Sequence, residues 1–212
     1  MNLLQYKTPE GILAFTTGRD CGVEALGLRM EDLGLPRQVH STHVLWMYEA
    51  GRPEQTDAVI TDVPGLCVCV KTADCIPVLL YDTKHRVVAA VHAGWRGTVG
   101  KIVMKALEKM GSDASDLHAI IGPGISQEAF EVGEEVYQAF SDAGFPMERI
   151  AVHRAKWHLD LWQANQWLLE QYGVREIFIA GECTYKETDR YYSARRETIN
   201  TGRNLNGIML LP

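Results

Sequence analysis

A chain of 212 residues with 27 acidic and 21 basic side chains, net charge −6, is long enough for one domain with an ample core. Its charge has the wrong sign for a polyanion-binding surface, and its basic residues are scattered, which excludes a nucleic-acid face. No apolar run reaches the roughly 18 residues that would mark a membrane span, residues 1–7 lack the basic start and apolar stretch of a secretory leader, and five cysteines without paired spacing form no disulfide framework, so a reduced, cytoplasmic protein is expected.

In chain order, a weak helical pattern covers 23–33. Apolar or alternating runs at 39–48, 58–61, 66–70, 76–81 and 87–91 read as strands. Within 66–70, Cys67 and Cys69 alternate with valines, so they share one face and serve as core filler. Residues 98–110 place Val99, Ile102, Val103, Ala106, Leu107 and Met110 at a helical period that Gly111 stops. A strand follows at 118–121, then helices at 131–143 and 158–172, each with a glycine just beyond, and a last strand at 176–180. Strands crowd the first half and helices recur irregularly. This order predicts an α+β fold, one domain over 1–212, with mixed sheets in place of a regular doubly wound one.

Chemistry concentrates in three segments, Gln38-Val39-His40, Thr72-Ala73-Asp74-Cys75 and Val91-His92-Ala93-Gly94-Trp95-Arg96-Gly97. They supply one cysteine and two histidines near strand ends, a donor set that suits zinc with a fourth position left for water. His43 competes with His40 for this role. On an extended strand an offset of three sends the two rings to opposite faces, so only one reaches a given site. Pro77 holds the chain after Cys75 extended. The glycines around Trp95 lead into a helix expected to start near Thr98, where free N–H groups and Arg96 could hold an anion.

The runs Asp57-Ala58-Val59-Ile60-Thr61, Thr72 to Asp82 and Val91 to Gly97 resemble the YfiH/laccase-domain family. Ile121-Gly122-Pro123-Gly124-Ile125, Phe130-Glu131-Val132-Gly133, Cys183-Thr184, Tyr192-Ser193-Ala194-Arg195-Arg196 and Thr201-Gly202-Arg203 continue the resemblance in order over nearly the whole chain. The resemblance implies layered mixed β-sheets flanked by helices, with zinc on His40, Cys75 and His92. It also implies phosphorolysis of adenosine, inosine and methylthioadenosine, with adenosine deaminase activity. Purine nucleosides and phosphate are then the partners. Arg19 stands one place late against the family's opening segment, and Glu182 precedes Cys183 where an aspartate-like position is common.

On this reading deamination needs an acid to carry a proton to the leaving amine, for which Asp74 is the first candidate; its other role is as a turn former. Phosphorolysis needs cations for phosphate, and Arg96, Arg195, Arg196 and Arg203 are available. Trp95 and the Tyr191-Tyr192 pair could stack on a purine, or pack in the core. A metal-free reading makes Cys75 and His92 a thiolate-imidazole dyad of a hydrolase acting on peptidoglycan precursors. Copper-dependent phenol oxidation fits less well, because seven histidines without a His-x-His pair supply a multicopper cluster poorly. A non-enzymatic binding module is the remaining reading.

Overall fold

The computed structural model describes residues 2–212. Strands β1 (Leu3–Gln5) and β2 (Ile12–Thr17) open the chain, and β3 (Leu33–Gly34) and β4 (Val44–Trp46) follow two short 3-10 turns. Next come β5 (Ala58–Thr61), β6 (Cys67–Thr72), β7 (Ile76–Asp82) and β8 (Val87–Ala93), then helices α1 (Trp95–Val99) and α2 (Ile102–Met110). The second half holds β9 (Leu117–Ile121), β10 (Glu131–Val132), α3 (Glu134–Asp142), α4 (Met147–Ile150), β11 (Ala151–His153), β12 (Trp157–Leu159), α5 (Leu161–Tyr172), β13 (Glu176–Ile179) and β14 (Asn204–Leu210).

A five-stranded sheet in the order β1-β2-β14-β6-β3 lies against a six-stranded sheet in the order β13-β9-β7-β8-β5-β4. Alternation along each strand decides which side chains meet. Ala14, Val68, Val70 and Ile208 from the first sheet and Val59, Leu79, Val88, Ala90 and Ile120 from the second fill the space between them. The opposite face of the second sheet, with Ala58, Ile60, Val78, Leu80, Ala89 and Val91, is covered by α2, α3 and α5 through Val103, Leu107, Phe140 and Leu168. Phe15, Cys67, Cys69, Leu205 and Met209 on the outer face of the first sheet pack under Val23, Leu33 and Leu35. Burial on both faces explains the apolar runs 58–60, 76–81 and 87–91 within β5, β7 and β8. Cys67 and Cys69 share a buried face as expected, with sulfurs 3.5 Å apart.

The layered mixed α/β architecture agrees with the expected class, while several boundaries move. Only Val44–Trp46 of the run 39–48 is strand, because Asp57 captures residues 39–41 in a turn. The weak helix at 23–33 is two single 3-10 turns, Val23–Leu26 and Met30–Asp32. The helix expected from Thr98 begins at Trp95 and breaks at Gly100-Lys101, where Lys101 has φ 59°. Residues 131–132 and 157–159 pair with each other as strands, so α3 and α5 start later than the apolar pattern suggests. Asp160 sets the start of α5 by accepting from the Gln163 N–H at 2.9 Å. Among the described residues no helix is long and apolar enough to cross a membrane.

Candidate active site

The start of β7, the end of β8 and the 38–41 turn meet at one end of the two central strands of the six-stranded sheet. His92 is the next-to-last residue of β8 and is buried; Cys75 immediately precedes β7 and is half-buried; His40 is exposed. One donor atom from each lies within 4.8 Å of the others, and Cys75 Sγ is 3.8 Å from His40 Nε2. The His40 and His92 rings meet edge to face at 4.8 Å. His43 turns away, its Nδ1 3.1 Å from Thr56 Oγ1. His40 is thus the second histidine, placed by a turn residue at φ 60° and not by strand alternation.

Asp57, the residue before β5, organises this turn. Its Oδ1 accepts from the His40 N–H at 2.9 Å and lies 2.8 Å from His92 Nδ1. Its Oδ2 accepts from the Ser41 N–H at 2.8 Å, the Ser41 hydroxyl at 2.7 Å and the Val39 N–H at 3.2 Å. One buried carboxylate therefore fixes the backbone of one histidine and the ring of the other. Burial opposes its ionisation, but hydrogen bonds from His92, Ser41 and Val39 hold its pKa well below the usual carboxylate range. Sequence reading missed this role. Its signal was an acidic residue directly ahead of the apolar run Ala58-Val59-Ile60.

Burial by itself pushes the Cys75 thiol up, and the positive field of His92 with hydrogen bonds from His40 and His92 outweighs it, bringing the thiol down to about 6. Burial likewise disfavours a charged His92, yet the Cys75 thiolate and the Asp57 carboxylate raise it to about 9. The three donors suit a metal ion. Tetrahedral bonds of about 2.0–2.3 Å to nitrogen and sulfur place donor atoms roughly 3.5 Å apart, close to the Cys75–His40 separation. A carboxylate on the far nitrogen of a ligand histidine is the usual way its tautomer is fixed. Gly94 adds a steric sign: a Cβ there would lie 2.9 Å from Cys75 Sγ and 3.1 Å from His40 Cδ2, so the glycine leaves the donors their room.

Asp74 sits at φ 90°, a strained conformation for a residue with a side chain, and turns Cys75 toward the histidines. Both its carboxylate oxygens are engaged, Oδ1 by the Thr184 hydroxyl and Oδ2 by the Arg195 N–H, each at 2.7 Å. Two cavities share His40, Ala73 and Cys75. One is walled by Trp95, Ile125, Phe130 and Arg195. The other, about 300 Å³, is walled by Lys71, Arg52 and Arg203 and also reaches His92.

Of the four arginines proposed from sequence, Arg195 and Arg203 reach these walls. Arg96 lines neither cavity and lies over the Trp95 ring at 4.3 Å. Arg196 also lines neither; it donates to the carbonyls of Thr184 at 2.6 Å, Tyr185 at 2.7 Å and Tyr191 at 2.6 Å, clasping the C-terminal segment. The expected helix start at Thr98 is not presented. Thr98 is buried inside α1 and its N–H donates to the Gly94 carbonyl at 2.8 Å. Tyr191 is core, Tyr192 lies beneath the Arg19 guanidinium at 4.6 Å, and Arg19 pairs with Glu197. Glu182 bonds the Tyr191 hydroxyl and pairs with Arg190 at 3.0 Å.

A sequence profile of the multi-copper polyphenol oxidoreductase laccase family matches residues 14–211. The chain belongs to that family. It is 44% identical over 207 residues to a purine nucleoside phosphorylase of Bacteroides thetaiotaomicron, covering 89% of this chain and 77% of the relative. It is 39% identical over 201 residues to adenosine deaminase RL5 of an unknown prokaryotic organism, covering 86% and 77%. Purine nucleoside phosphorylase YfiH of Escherichia coli is 35% identical over 178 residues, with 82% and 72% covered. A solved structure from Neisseria meningitidis superposes over the full length of both chains with a TM-score of 0.90 at 27% identity. Bacillus licheniformis YfiH has the same fold, with a TM-score of 0.91 at 23% identity over 98% and 96% of the two chains.

Proposed function

We propose that this protein is a cytoplasmic, zinc-dependent purine nucleoside phosphorylase with adenosine deaminase activity, acting on adenosine, inosine and methylthioadenosine. The observation that carries the reading is the convergence of His40, Cys75 and His92 with Asp57 behind them, in a chain whose relatives are named for both reactions. His40, Cys75 and His92 would hold the metal, which when bound supplies a Lewis acid that makes water a better nucleophile at neutral pH.

The protein's own groups then position the reactants. Phosphorolysis forms a bond from a phosphate oxygen to C1′ as the C1′–N9 bond breaks; that bond's electron pair leaves with the purine, which takes up a proton. Deamination adds water at C6 and releases ammonia. Trp95 and Phe130 offer aromatic faces for the purine at the wall of one cavity. We assign Asp74 a positioning role: it ties Thr184 and Arg195 to the turn that presents Cys75.

A second reading has a specific observation in its favour. Cys75, His92 and Asp57 form a thiolate, imidazole and carboxylate series, the arrangement of a cysteine hydrolase, for which peptidoglycan precursors would be the substrates. Metal content separates the two. About one zinc per chain after purification, lost in Cys75→Ala together with nucleoside turnover, is the result expected for the phosphorylase. Metal-free protein that is fully active on an amide or ester substrate would replace it with the hydrolase.

A further inference from the structure

The cavity of about 300 Å³ beside His40, Cys75 and His92 has an unusual charge for this molecule. Acidic side chains outnumber basic ones in the chain as a whole, yet the cavity walls carry Arg37, Arg52, Lys71 and Arg203 and no carboxylate. Arg37 is neutralised from outside the wall by Glu54 at 2.9 Å. Among the described residues, Arg52, Lys71 and Arg203 have no acidic partner within 4.0 Å. Apart from the Cys75 thiol these cations have no counter-charge in the cavity wall, and an entering anion relieves their mutual repulsion.

Two of these cations are held in place. Lys71 is the fifth residue of β6 and continues the face of Cys67 and Cys69, so its side chain leaves a buried surface at the cavity wall. Its backbone is clamped by Gln38: the Lys71 N–H donates to Oε1 at 2.7 Å and Gln38 Nε2 donates to the Lys71 carbonyl at 2.8 Å. Arg203 Nη2 donates to the Ile199 carbonyl at 2.7 Å and Nη1 to the Gly202 carbonyl at 3.0 Å, which fixes the guanidinium over its own turn. Partial burial, with the positive fields of Arg52 and Arg203, lowers the pKa of Lys71, as expected of a lysine facing cations without an anion.

We propose that Lys71, Arg52 and Arg203 form a phosphoryl-binding subsite in the cavity beside the His40–Cys75–His92 cluster. This cradle keeps Arg203 from the arginines expected from sequence and leaves out Arg96 and the start of the following helix. An ammonium and two guanidinium groups around one cavity match the three outer oxygens of a phosphate, and the absence of carboxylate from the walls favours a dianion. The phosphoryl group is either free orthophosphate or the 5′-phosphate of a nucleotide. Its assignment as the co-substrate of phosphorolysis rests on the function proposed above; binding itself does not.

The test is calorimetric titration of orthophosphate, AMP and adenosine into the zinc-loaded full chain and into Lys71→Gln, Arg203→Gln and the remote control Lys84→Gln. Orthophosphate is expected to bind, with affinity lowered at least tenfold by K71Q and by R203Q, unchanged by K84Q and falling steeply with salt. Binding of AMP but not orthophosphate, with the same sensitivity, identifies the nucleotide as the source. No binding of either anion to the wild type, or binding indifferent to both cavity variants, overturns the subsite. Arg52→Gln, at an exposed position, stands in for any variant that fails to fold. Orthophosphate binding without phosphorolysis would leave the subsite standing and remove the phosphorylase; phosphorolysis with an unchanged phosphate KM in K71Q and R203Q would do the reverse.

Discussion

Replacing Asp57 by asparagine removes one charge and one acceptor from the most connected carboxylate at the site. Each of its oxygens serves at least two donors, His40 N–H and His92 Nδ1 on one side, Ser41 and Val39 on the other. Whichever way the amide is turned, its NH2 group faces N–H donors. Orphaning a buried donor costs about 1–3 kcal/mol, and water reaching the 39–41 turn relieves part of that, so Asp57→Asn should destabilise the fold by about 2–4 kcal/mol. For a domain of this size that is a fall in Tm of roughly 5–15 °C. Metal affinity should fall about 10–100-fold, because the tautomer of His92 and the position of His40 are both released. Melting in the presence of a chelator gives the first quantity, and competition with a chromogenic zinc chelator gives the second. A D57N protein that binds zinc as tightly as the wild type would refute the claim that this carboxylate organises the donors.

Gly94 has φ −68° and ψ 170°, which alanine adopts freely, so Gly94→Ala should leave metal-free stability within about 1 kcal/mol while the new methyl, 2.9 Å from the Cys75 sulfur, lowers zinc affinity at least tenfold; the chelator competition checks it, and equal affinity would show the crowding is harmless. Cys75→Ala should lose the metal but keep its circular dichroism and cooperative melting, since the thiol lies beyond the end of a central strand and outside the apolar clusters of the core; global unfolding would make the centre structural. Asp82 is buried, and in spite of that burial the hydrogen bonds from the His85 and Lys84 N–H groups and from the His85 ring depress its pKa. A depressed carboxylate pKa gives stability that is present above the unfolded value near 4 and lost as pH falls through the folded one. Asp82→Asn should therefore flatten the loss of stability below about pH 4 in urea titrations, and an unchanged acid limb would count against the assignment.

How far the sequence discloses this molecule depends on whether a feature is local. β5, β7 and β8 are legible because both faces are buried and their apolar runs are unbroken. β14 carries no clear apolar pattern because its polar side chains are buried in pairs across the sheet: Asn206 accepts from the Thr16 hydroxyl at 2.7 Å and donates to Thr72 Oγ1 at 3.0 Å. Apolar spacing could not distinguish a strand at 157–159 from the first turn of α5; the distinction lies in the cap at Asp160 and in pairing with residues 131–132. The donors at 40, 75 and 92 were visible as residue types in recognisable segments. Asp57 and Lys71 were not, since one acts on backbone N–H groups 16 to 18 residues away and the other gains meaning only beside Arg52 and Arg203.

The measurement that tests the central claim most directly is product analysis of zinc-loaded protein given adenosine with and without phosphate, resolving adenine, inosine and hypoxanthine. Adenine should form with an equimolar amount of ribose 1-phosphate only when phosphate is present, and inosine should form in either case. All products should disappear in Cys75→Ala. Failure to turn over adenosine by either route, in protein shown to carry its metal, would contradict the account.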